Sequence, residues 1–138
     1  MNSANIVLLT ILVPIVGSLT IPLAGLLSPR LRSAWSVLLG GVTAALPWAL
    51  LGGALRGEPT VVRHALGLGL DFILIVDPLA VFMALVSSFI GFLIVLYSLG
   101  YIHHDENQNE YYLMVILFIG SMMGLVFSGS LVFMYLFW

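Results

Sequence analysis

Three histidines, six carboxylates and four arginines are all this chain has for acid–base or ligand chemistry, and their spacing decides what they can do. His103, His104, Asp105 and Glu106 are consecutive. Neighbouring residues on a helix do not share a face, so the run reads as a solvated loop, with surface proton collection as the alternative. A turn at Gly67-Leu68-Gly69 would bring His64 across from Asp71, a hairpin contact rather than a ligand set. Asp77 directly before Pro78 reads as a helix N-cap, because an extended residue with an acceptor side chain followed by proline suits the first helical turn. Ser87, Ser88, Ser121 and Ser128 could line a wet path, but hydroxyls in helices more often bond a backbone carbonyl or a neighbouring helix. With no cysteine, disulfides, thiolate zinc sites and cysteine-ligated clusters are excluded within the chain. No nucleophile–base pair, metal set or phosphate loop is present. Catalysis by this chain alone, a resident metal and a cofactor are therefore not expected, and any electron transfer falls to a partner.

The elements that must position these residues follow from composition. The 138 residues are 62% hydrophobic and 7% charged, against about 25% charged for soluble domains. A lipid bilayer is the solvent that removes the need for a charged shell. Four scattered arginines form no patch for nucleic acid. An all-α integral membrane fold is expected, with spans over 6–27, 33–55, 78–102 and 111–127 and an apolar stub over 131–138. The first run lacks the positive start of a signal peptide and reads as a true span. Ser28 to Arg32 reads as a tight polar turn. Residues 56–76, with β-branched residues around central glycines, read as a loop or short β-hairpin between helices 2 and 3. Arg30 and Arg32 lie in one loop and Arg56 and Arg63 in the next, on the opposite side, so the positive-inside count does not decide the topology; the first pair, close to span ends in a short loop, leans toward that loop being cytoplasmic. Gly120, Gly124 and Ser128, each four apart, form a helix-packing stripe. None of the expected spans contains an ionisable residue. Since a buried ionisable group is the usual mark of an ion carrier, independent transport is not expected.

The order of motifs carries a resemblance. Asp77-Pro78-Leu79 opens a helix that holds Gly91-Phe92-Leu93-Ile94 and closes on Tyr97-Ser98-Leu99-Gly100-Tyr101. Tyr111-Tyr112, Phe118, Ser121-Met122-Met123-Gly124 and Leu131-Val132-Phe133-Met134-Tyr135-Leu136-Phe137-Trp138 follow. This series resembles the N-terminal region of the antiporter-like subunits of respiratory complex I (NADH-quinone oxidoreductase), chain 5 type. The same region occurs in the large subunits of multisubunit cation/proton antiporters and in membrane-bound hydrogenases. The resemblance spans the chain and is strongest over 77–138.

It implies a subunit piece of a redox-driven or antiport ion pump in an energy-transducing membrane, such as a prokaryotic inner membrane. In that family a glutamate directly after the Phe-Trp pair works with lysines on later helices to move protons. This sequence has no lysine and reaches Trp138 without that glutamate, so no ion-carrying residue transfers. The expected partners are other membrane subunits, including a chain supplying the rest of helix 5. The competing readings are a structural or assembly subunit and a small independent transporter. The choice among complex I, hydrogenase and antiporter, and between proton and sodium, stays open.

Overall fold

Two apolar runs, parted only by Ser28, give the first two helices: α1 (Ser3–Leu27) and α2 (Pro29–Leu55). A hairpin of β1 (Thr60–Ala65) and β2 (Asp71–Val76) follows, then α3 (Pro78–Tyr101), α4 (Gln108–Phe127) and the short α5 (Leu131–Phe137). The computed structural model describes residues 3–56, 60–65, 71–102 and 107–138, with the side chains of Ser3, Thr60, His64, Ala65 and Asp71 excepted. The His103 to Glu106 run and the Gly67-Leu68-Gly69 turn lie outside the described residues. Helices α1 to α4 are each long and apolar enough to cross a membrane.

The polar turn expected over 28–32 is corrected. Only Ser28 is non-helical; it is extended, α2 starts on Pro29, and Arg32 N donates to Ser28 O at 3.1 Å. Proline at the first helical position gives up no needed hydrogen bond and is preset in φ, so the helix absorbs Arg30 and Arg32. Likewise α4 starts at Gln108 rather than at Tyr111, with Tyr111 N donating to Asn107 O at 3.2 Å. Asp77 caps α3: its backbone is extended and its carboxylate accepts from Ala80 N at 2.6 Å. Asp77→Ala is expected to cost about 1 kcal/mol, read as a lower unfolding midpoint with faster hydrogen exchange confined to the first turn of α3.

Three prolines interrupt the long helices: Pro14 and Pro22 in α1 and Pro47 in α2. Each removes the N–H that would bond the carbonyl four residues back, and those residues are Thr10, Ser18 and Thr43. All three are buried. Their hydroxyls turn back onto their own helices, Thr10 to Ile6 O at 2.8 Å, Ser18 to Ile15 O at 2.7 Å and Thr43 to Leu39 O at 2.7 Å. Such back-bonding satisfies a buried hydroxyl without a partner helix. Ser88 and Ser98 do the same in α3.

The four long helices close into a ring, α1 on α2, α2 on α3, α3 on α4 and α4 on α1. Two core layers fill it. One, at the hairpin end, joins Val7, Ile11, Leu50, Leu74, Val81, Met123 and Phe127. The other, at the opposite end, joins Ile21, Leu39, Val95, Tyr112, Ile116 and Ile119. Lipid offers no hydrophobic drive between helices, so close approach by small residues has to supply the contact. Gly120 meets this need where α4 crosses α1: a Cβ there would lie 2.7 Å from Ile15 Cγ1 and 3.1 Å from the Ile15 backbone nitrogen.

In the hairpin, Val62 faces Leu74 across the ladder, and both are buried. The outer edge of β2 does not stay open. Leu74 forms a bridge with Ser128, Gly129 N donates to Ile73 O at 2.8 Å, and the rings of Phe72 and Phe133 meet edge-on at 4.7 Å. The strand therefore fastens the α4–α5 joint to the start of α3.

Candidate functional site

Among the described residues, two places on the bundle that combine space with polar groups stand out. The first is a crevice between α3 and α4 of about 760 Å3. Ser87 and Gly91 line it from α3, Ser121 and Phe118 from α4, and Phe137 with Trp138 close one end. It is mostly apolar, and the helix faces beside it carry large exposed side chains, among them Phe89, Ile90 and Met114. Ser87 lies near the middle of α3 and Ser121 about two-thirds of the way along α4, so their hydroxyls bring polar groups to the crevice away from the helix ends. A crevice of this size and lining suits a helix side or lipid chains.

The second place is the end of the bundle where α1 and α3 finish and α2 and α4 begin. Arg32, one turn into α2, is only 7% exposed. Its guanidinium is gripped by α4: Nη1 donates to Asn109 Oδ1 at 2.9 Å and Nη2 donates to Gln108 Oε1. Its Cζ lies 5.8 Å from the centre of the Tyr112 ring, within cation–π range. Gly25 of α1 packs directly against the Asn109 side chain, leaving room for that amide. Beside this cluster lies a cavity of about 470 Å3. The same end carries aromatic groups suited to a membrane–water boundary: Trp35 donates to Thr20 Oγ1 at 2.8 Å, and Tyr97 stacks on Tyr101 with ring centres 6.1 Å apart.

The residues singled out from sequence fall in different places. Gly120 and Gly124 are buried on α4, the first against α1 and the second against the Phe137 ring of α5. Ser128 has already left the helix as its extended C-cap, and its hydroxyl donates to Ser130 O at 3.0 Å. The structure therefore divides the stripe among three neighbours. The hairpin register sets His64 opposite Phe72 and Asp71 opposite Ala65; the side chains of His64 and Asp71 lie outside the described residues. Arg32 was missed by reading 28–32 as a turn. Ser28-Pro29 carries the same cap-then-proline signal as Asp77-Pro78, and applying it there would have put Arg32 inside a helix.

Residues 64–112 match the family described as NADH-ubiquinone oxidoreductase (complex I), chain 5 N-terminus. The Na+/H+ antiporter subunit A1 of Staphylococcus haemolyticus (strain JCSC1435) is 30% identical over 133 residues, which is 94% of this chain and 17% of the relative. Subunit A1 of Staphylococcus aureus matches with the same identity and coverage. A chain of the membrane-bound sulfane sulfur reductase, an archaeal respiratory membrane complex, superposes with a TM-score of 0.84 at 16% identity, covering 95% of this chain and 27% of its own length. At that identity the likeness speaks for the fold alone. The chain spans 17% of the length of the curated relatives it matches. Four apolar helices and these relatives together make it a multi-pass membrane protein.

Proposed function

We propose that this chain, which is similar to the chain 5 N-terminus of complex I and to Na+/H+ antiporter subunit A1, forms an N-terminal helical unit of an antiporter-like subunit in an ion-translocating membrane assembly. Its ring of four helices packs beside a proton or cation path whose ionisable groups lie on other helices. The observation that carries this reading is the open α3–α4 crevice, bordered by exposed Phe118 and Met114 and by the hydroxyls of Ser87 and Ser121. A further helix laid there would cover apolar surface and meet those hydroxyls, a normal way for membrane helices to join. The partners are other membrane subunits.

The charged side chains of the described long helices also fit this division of labour. Arg30, Arg32 and Glu110 stand in the first turns of α2 and α4. Transport needs groups that change charge partway across the membrane. The expected result is that vesicles holding only this chain do not exchange cations against a pH gradient, whereas vesicles holding the intact assembly do. Exchange by the chain alone overturns the proposal.

A further inference from the structure

We propose that the cavity at the Arg32 end of the bundle binds a phosphate-ester anion. Arg32 is a cation more than nine-tenths buried, and its partners among the described residues are neutral: the amide oxygens of Asn109 and Gln108 and the ring of Tyr112. A guanidinium offers five N–H donors, and its buried Nε has no partner among the described residues. Buried cations are normally matched by an anion, since desolvation is costly and dipoles only partly replace water. Here an anion has a place to stand, because Arg32 lines the adjoining cavity of about 470 Å3.

The lining specifies the anion. Arg30 brings a second guanidinium to the cavity, and Ser33 and Gln108 add neutral polar groups, while Leu99 and Ile102 make the opposite side apolar. Guanidinium forks match phosphate oxygens in pairs. The N-terminus of α2 enters at the same point, with Pro29 first in the helix and no side chain capping it, so its positive dipole end adds to the field. The depth fits as well. Trp35, Tyr97 and Tyr101 mark this end as the headgroup boundary, where a phosphate diester with an apolar glycerol side would meet both halves of the lining. A soluble phosphate ester carries the same anionic chemistry.

The test titrates the full chain, purified in neutral detergent, with phosphatidylglycerol, phosphatidylcholine and inorganic phosphate, and counts bound molecules by native mass spectrometry. Phosphatidylglycerol is expected to bind about 25-fold more tightly than phosphatidylcholine, since each of the two arginines near the membrane surface adds about a fivefold preference for anionic lipid. Arg30→Gln, which leaves the buried cluster intact, should lower that preference about fivefold. Arg32→Gln, checked by circular dichroism for intact helices, should abolish it. Binding of inorganic phosphate without a lipid preference, and with the same response to both substitutions, assigns the site to a soluble source. Equal binding of the two lipids with no phosphate bound, or an Arg30→Gln profile identical to the parent, overturns the proposal.

Discussion

Replacing Gly120 with leucine is expected to lower the unfolding free energy by about 3 kcal/mol, the upper end of what overpacking usually costs. The cause is the α1–α4 crossing. A Cβ at Gly120 meets the Ile15 backbone nitrogen at 3.1 Å as well as Ile15 Cγ1 at 2.7 Å and Pro14 Cγ at 3.1 Å. Backbone held in a helix cannot yield as a side chain can, so α1 has to move away and the ring opens. At Gly124 the nearest atoms belong to the Phe137 ring, at 2.5 to 2.7 Å. That ring sits on the short terminal helix and can swing aside, so Gly124→Leu should cost about 1 kcal/mol. At Gly100 an added Cβ meets nothing within 4 Å, and Gly100→Leu should stay within about 0.5 kcal/mol of the parent. Thermal or detergent unfolding followed by circular dichroism gives the order. Gly124→Leu costing as much as Gly120→Leu would show that the α1–α4 contact is not the tight one.

Filling the α3–α4 crevice is expected to break assembly while sparing the chain itself. Ser87→Leu and Ser121→Leu add apolar bulk to helices that already insert well, so the isolated chain should keep its helical content. The larger side chains occupy the volume that an incoming helix would need, and recovery of this chain with its membrane partners should fall about tenfold, equivalent to about 1.4 kcal/mol. Ser87→Arg is the severe version. Unlike the leucine variants it acts on the chain itself, because a charge at the middle of a membrane helix costs about 2.5–3.5 kcal/mol on insertion scales, and the chain is lost from the membrane as well as from the complex. Affinity purification of the complex followed by quantification of this chain reads all three variants. Unchanged recovery with Ser87→Leu and Ser121→Leu together would mean that lipid, not a helix, covers the crevice.

What the sequence alone determined were the features set locally or by solvent. Long apolar runs choose the bilayer whatever they later touch, so the four spans and the short terminal helix could be read directly. Asp77-Pro78 encodes its own cap, and β-branched residues around Gly67 and Gly69 encode the hairpin, because both depend on neighbours in the chain. The start of α2 was signalled by Ser28-Pro29, but the arginines after it led to a tight polar turn being expected there instead. Only the tertiary structure decided which surfaces meet. The spacing of Gly120 and Gly124 promised close packing but not that one would face Ile15 and the other Phe137. Arg32 looks solvent-facing in sequence; it is buried because α4, far along the chain, brings Gln108 and Asn109 to it. The reason is physical: local signals act through backbone torsion and transfer from water, whereas a buried cation, a crevice or a helix crossing exists only once distant segments share the same space.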